Sequence, residues 1–126
     1  MRPAPGTRLC ALADLAEPGA KGFTFGAGSE RFDMFVVRTG GMVRGWLNTC
    51  PHNFTTLEFV PDKFLTRDAG RILCSTHGAQ FRLDDGVCVL GPCLGQALTP
   101  LPIRVEDGMV MMGGDQDGSS VTVAGS

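Results

Sequence analysis

The sequence predicts an all-β fold, an antiparallel sandwich or small barrel, on three observations. Short apolar runs recur at intervals of about ten residues, the spacing of strands in such folds. Clusters of Gly, Pro and Asp punctuate them, and with 18 glycines in 126 residues turns are plentiful. No stretch repeats its apolar positions with the 3.6-residue period of an amphipathic helix, so any helix should be brief.

Residues 9–15 alternate loosely and read as the first strand, closed by the turn Glu17-Pro18-Gly19-Ala20. Short strands follow at 22–25 and 33–38, and Gly40-Gly41 makes a hairpin turn into a strand at 42–47. Residues 71–73 and 79–82 are two short strands flanking a loop. Asp84-Asp85-Gly86 is a turn, set by the local hydrogen bonding of Asp and the free backbone of Gly. The final strands are 101–106 and 109–112, joined at Asp107-Gly108. From Gly113 the chain is rich in Gly, Ser and Asp and is expected to form a mobile tail, with 121–123 the part able to pair. The expected organisation is one domain over 1–113 and a flexible tail over 114–126.

Composition narrows the function. A chain of 126 residues builds one core and buries about two thirds of its unfolded surface. At 43% hydrophobic and 19% charged residues it is an ordinary globular chain. With 11 basic against 13 acidic residues it has no electrostatic footprint for nucleic acid or an anionic membrane, so neither partner is expected. Residues 1–6 lack the apolar run of a secretory signal, and no run approaches the roughly 20 residues of a membrane span. A cytoplasmic, unanchored protein is expected.

The chemistry concentrates between Asn48 and Phe81. The chain has two histidines, and each follows closely on a cysteine: Cys50-Pro51-His52 and Cys74-Ser75-Thr76-His77. Thiolate suits soft metals and clusters, and imidazole suits Zn, Cu and Fe, so this mixed set of four points to zinc or to an iron-sulfur centre. Structural zinc fingers usually pair like with like, two cysteines and then two histidines. One Cys and one His from each of two loops instead suits a binuclear cluster, with both thiolates on one iron and both imidazoles on the other.

That pattern resembles the Rieske [2Fe-2S] proteins, in which two histidines replace two cysteines on one iron. The resemblance rests on the two Cys/His pairs, Asn48-Thr49 leading into Cys50, Gly78 after the second histidine, Phe81, and Gly91-Pro92. It implies a Rieske-like β sandwich or barrel with a small cluster-binding subdomain, about residues 48–95, formed by two ligand loops and a proline loop. It further implies one Rieske-type [2Fe-2S] cluster, with Cys50 and Cys74 on the inner iron and His52 and His77 on the outer one. Gly91-Pro92-Cys93 would be the proline loop that closes over the cluster and limits water.

The chain departs from the family in places. The 21-residue spacer 53–73 is longer than the usual spacing. Glu58, Asp62, Lys63, Arg67 and Asp68 place charge along it, and Phe59 and Phe64 give it something to bury. It reads either as a flap that selects a redox partner or as a surface excursion packed by its own phenylalanines. Respiratory members carry an extra cysteine in each ligand loop, joined as a disulfide; the matching positions here are Thr55 and Thr76. The odd total of five cysteines argues for free thiols. Cys88, between Val87 and Val89, reads as a small buried apolar residue. Cys93, next to the proline loop, has no ligand vacancy to fill, and a redox role for it needs exposure and a lowered pKa.

High-potential members place a serine and a tyrosine just after the second histidine to donate hydroxyl bonds to sulfur. The matching Ala79 and Phe81 have no hydroxyl, so a low potential is expected. The resemblance implies a soluble ferredoxin, not an enzyme: a one-electron carrier between a reductase and a terminal oxygenase or similar acceptor, binding both transiently. Electrons would pass at the His52 and His77 edge, with Phe54, Leu94 and the 59–64 region as an apolar rim. The alternative is a cluster-bearing accessory or redox-sensing subunit of a larger oxidoreductase. A complete Rieske oxygenase is excluded, because its mononuclear iron needs two further histidines.

Overall fold

In a computed structural model of the protein, which describes residues 2–51, 56–57, 62–75 and 78–123, eleven strands form three antiparallel sheets. Strands β2 (Gly19–Phe25), β3 (Phe32–Thr39) and β4 (Met42–Leu47) make the central sheet. Strands β1 (Arg8–Ala11), β9 (Ile103–Glu106) and β10 (Met109–Met112) make the second, in the order β1-β10-β9. The third is a small meander of β5 (Arg71–Leu73), β6 (Gln80–Arg82) and β7 (Cys88–Leu90). Two short strands, β8 (Pro100–Leu101) and β11 (Ser120–Thr122), share the free edge of β4. Among the described residues helix is confined to two three-residue 3-10 turns, and no helix is long and apolar enough to cross a membrane.

Strand β3 explains how the layers stack. Its run Met34-Phe35-Val36-Val37 is apolar without alternation because both faces are covered. Met34 and Val36 join Val43, Leu101, Ile103, Val110 and Met112 in one core, against the β1-β10-β9 sheet. Phe35 and Val37 join Trp46 in the other, against the β5-β6-β7 meander, together with Cys50, Cys74, Cys88 and Cys93. One strand therefore serves as the wall between the base of the molecule and the end that carries the Cys/His loops.

Most expected elements are present, and the differences have local causes. The first strand stops at Ala11, because residues 12–14 curl into a 3-10 turn. The buried guanidinium of Arg38 donates to the carbonyls of Leu12 and Leu15 and holds that turn against β3. Strand β2 begins earlier than residue 22, at Gly19, and pairs with β3 along its whole length. Gly40 and Gly41 both have positive φ, 58° and 75°, as a two-residue hairpin turn requires. The expected strand 101–106 is split at Pro102, which has no N–H to continue the pairing. The tail expected from residue 114 is instead built into the body as far as β11. Asp117 accepts from Gly114 N and from Arg104, and Ser120, Val121 and Thr122 pair with Arg44, Val43 and Met42.

The spacer between the two Cys/His pairs is partly described, and its described part is structural. Asp62 accepts from Gly22 N in β2 at 2.8 Å. Leu65 bridges Ile72, and Phe64 accepts from Leu73 N, so residues 64–66 extend the meander beside β5. Phe64 is fully buried and stacks on Phe35, with ring centroids 4.2 Å apart and planes within 4°. Glu58 and Phe59 lie outside the described residues. Phe64→Ala should lower unfolding free energy by about 3–5 kcal/mol, read from denaturant midpoints; a loss under about 1 kcal/mol would mean that this ring does not anchor the spacer.

Candidate metal centre

The first Cys/His loop leaves the end of β4. Asn48 N donates to Asp33 O, and Thr49 N folds back onto Leu47 O, so the chain turns sharply before Cys50. The Asn48 side chain is buried, and its Oδ1 accepts from Leu57 N at 2.8 Å. Cys50 is fully buried. His52 lies outside the described residues.

The second loop is the turn between β5 and β6. Cys74 N donates to Ala79 O at 2.8 Å and Gly78 N to Cys74 O at 2.9 Å, which cinches the six-residue segment at its neck. Gly78 takes a φ of 70°, a conformation that a side chain would oppose. Cys74, like Cys50, is buried in the shared core, and neither is in a disulfide. His77, the other expected ligand here, also lies outside the described residues, as do Thr55 and Thr76.

Among the described residues, Leu57 joins the two loops. Leu57 gives its N–H to Asn48, two residues before Cys50, and its carbonyl accepts from Ser75 N, the residue after Cys74, at 2.8 Å. Its side chain is fully buried in the same core. Nothing in the sequence marks Leu57 except its apolarity; the acceptor side chain of Asn48, two residues before Cys50, was the available hint.

Gly91-Pro92-Cys93 forms the third segment. A Cβ at Gly91 would lie 2.8 Å from Ala79 Cα, and Gly91 has a φ of 108°, so only glycine lets this segment seat against the end of the second loop. Leu90 and Leu94, on either side, are 51% and 68% exposed. Cys93 is buried and donates to Cys88 Sγ at 3.0 Å; Cys88 in turn donates to Leu90 O at 3.3 Å. Burial, with the hydrogen bond to Cys88 next, pushes the Cys93 thiol up to about 12. Ala79 and Phe81 are fully buried beside these sulfurs, and neither brings a hydroxyl.

Comparison with known proteins places this arrangement. A Rieske [2Fe-2S] domain model matches residues 7–107. The chain belongs to the Rieske [2Fe-2S] domain family. Among curated proteins none matches by sequence. Among solved structures, the chain is similar to the ferredoxin of carbazole 1,9a-dioxygenase from Nocardioides aromaticivorans IC177, at 19% identity and a TM-score of 0.65, covering 87% of this chain and 98% of that one. It is similar to a Sphingomonas yanoikuyae B1 ferredoxin at 24% identity and 0.60, covering 85% and 96%. The terminal oxygenase of carbazole 1,9a-dioxygenase from Novosphingobium sp. KA1 matches at 25% identity and 0.65, covering 90% of this chain but 31% of its own.

A Rieske domain holds one [2Fe-2S] cluster, and the residues present fit that group. Two fully buried cysteines from two loops, neither in a disulfide, meet in one core, where soft sulfur donors for such a cluster would be shielded from solvent. Asn48→Ala should remove the acceptor from Leu57 N and cost about 1–3 kcal/mol, the penalty for a buried unsatisfied donor. Bleaching of the visible cluster absorbance by an iron chelator should accelerate in that variant; an unchanged rate would mean that this link does not hold the loops together.

Proposed function

We propose that this chain is a soluble, cytoplasmic Rieske ferredoxin that carries one electron at a time from a flavin-containing reductase to a terminal oxygenase or a similar acceptor. In it Cys50 and Cys74 hold the inner iron and His52 and His77 the outer one. The bound cluster supplies a one-electron redox couple without making or breaking bonds to a substrate. The protein's residues position it, exclude water from it and present one edge of it to partners.

The observation that carries this reading is the bracing of both Cys/His loops by Leu57, which gathers their cysteines into one buried core. Preorganisation of that kind suits a centre that must change charge with little rearrangement. The similarity supports a carrier in preference to an oxygenase, because it spans 98% and 96% of the two ferredoxins and 31% of the oxygenase. Five cysteines with no disulfide among them support a reducing compartment.

Leu94 and Leu90 beside the proline loop support an apolar contact rim for short-lived redox partners. Phe64, counted with that rim in the sequence, is instead fully buried and stacked on Phe35; Phe54 and Phe59 lie outside the described residues.

The purified protein should be red-brown, bleach with dithionite, and relay electrons from a ferredoxin reductase to an acceptor. A colourless zinc protein would overturn the reading, and tight copurification with one large subunit would favour an accessory role.

A hydroxyl donated to a ligand or bridging sulfur favours the reduced state, and Ala79 and Phe81 donate none. A redox titration followed by electron paramagnetic resonance should therefore give a midpoint below about 0 mV. Ala79→Ser with Phe81→Tyr should raise it; no rise would remove the hydroxyl argument.

A further inference from the structure

The small meander turns one face to the core and the other away from it. Ile72 and Phe81 point inward and are fully buried, so alternation sets Arg71 and Leu73 of β5 and Gln80 and Arg82 of β6 on the outer face. Both arginines are exposed, and in the register of the two strands they stand directly opposite one another. Like charges in that position weaken a sheet, so pairing of the strands gives no reason for them. Asp85 accepts from Arg82 Nε at 3.0 Å and neutralises it. Arg71 has the Gln80 side chain at 3.4 Å and, among the described residues, no ion pair. Arg67, exposed and likewise without an ion pair among those residues, lines one cleft of about 530 Å³ with Arg71, Thr66 and Gln80. Asp68 also lines it, but its Oδ1 is held by Thr66 Oγ1 at 2.7 Å and Gly70 N at 2.9 Å, within its own turn. The cleft thus sets two guanidiniums against one carboxylate.

Position ties this patch to the candidate centre. Arg71 begins the strand that delivers Cys74 three residues on, about 10 Å along an extended chain. Gln80 follows Ala79, whose carbonyl closes the second loop. Leu90, set opposite Gln80 in the register and 51% exposed, carries the face on to the proline loop. We propose that the outer face of the meander is the landing surface for an electron-transfer partner with an acidic contact surface, an assignment that rests on the carrier reading above. The partner's carboxylates meet Arg67 and Arg71, and its apolar part meets Leu90. The formal net charge of the chain is −2, so at long range it repels an acidic partner. The two arginines supply a local field of the opposite sign, which selects the orientation that brings the partner to the second loop.

The test uses the cluster-loaded protein, reduced with dithionite, freed of excess reductant and mixed in stopped flow with one of two oxidants. Ferricyanide has the sign of the acidic partner, and tris(phenanthroline)cobalt(III) has the opposite sign. Return of the visible absorbance gives each rate. Were net charge in control, ferricyanide would be repelled and salt would speed its reaction; guided by the arginine face, the wild-type rate should fall as salt rises. Arg67→Glu combined with Arg71→Glu should slow ferricyanide about tenfold at low ionic strength, reverse its salt dependence and speed the cobalt complex. Arg2→Glu combined with Arg8→Glu, the same change of charge outside the meander, should have a much smaller effect. Glutamate at position 71 faces Arg82 as an opposite charge, so an unchanged thermal midpoint should show that the slower variant is folded.

Two results overturn the proposal: a wild-type ferricyanide rate that rises with salt, or equal slowing by the Arg2 and Arg8 pair. The wild-type measurement needs no variant to fold. Either result leaves the electron-carrier reading standing, whereas a protein with no absorbance for dithionite to bleach takes both down.

Discussion

The main chain of Leu57 is the constraint on which the candidate centre depends. Cys50 and Cys74 are separated by a long spacer, and two loops at the end of a sheet have no inherent reason to keep a common spacing. One peptide segment supplies it, with a donor to the Asn48 side chain and an acceptor for Ser75 N. The bond to Asn48 is buried, so breaking it leaves a polar group without water, at a cost of about 1–3 kcal/mol. The Leu57 side chain in the core keeps that segment from rotating away, so packing and hydrogen bonding enforce the same geometry.

The brace is effective because the end of the molecule that carries it is joined to the base through β3 and β4. Phe35 stacks on Phe64 from the spacer, and Trp46 covers Gly86, where a Cβ would lie 2.6 Å from the indole. Gly86 therefore has two reasons to be glycine, its φ of 72° and the ring above it. The turn Asp84-Asp85-Gly86 is consequently a seat as well as a reversal. It docks the meander onto the central sheet while Asp85 pairs with Arg82 at its solvent side. A short three-stranded meander with few residues per strand is marginal alone; here it shares a core with a sheet twice its length.

What the sequence made legible followed from local chemistry. The hairpin at Gly40-Gly41, the strands leading into Cys74 and out past Gly78, and the turn at Asp84-Asp85-Gly86 are each set by residues adjacent in the chain. The family was legible because the type and spacing of the Cys and His residues carry its pattern directly. What was not legible depends on partners distant in sequence. Arg38 ends the first strand by reaching back to Leu12 and Leu15, and β11 is a strand only because β4 offers it a free edge. Leu57 and the Cys88–Cys93 contact belong to the same class, since both are made by the fold bringing together groups that look ordinary singly.

Ala79 shows how tuning and packing meet at one position. It is the residue whose carbonyl closes the second loop on Cys74, and its Cα and Cβ are what a side chain on Gly91 would strike, at 2.8 and 3.1 Å. A larger residue at 79 must find room beneath the proline loop, where interiors are packed to near crystal density. The small side chain that permits close cover over the loop also withholds a hydroxyl from the nearby sulfurs. A substitution at 79 therefore acts on the cover over the second loop and on the hydroxyls within the core together, because the same small side chain sets both.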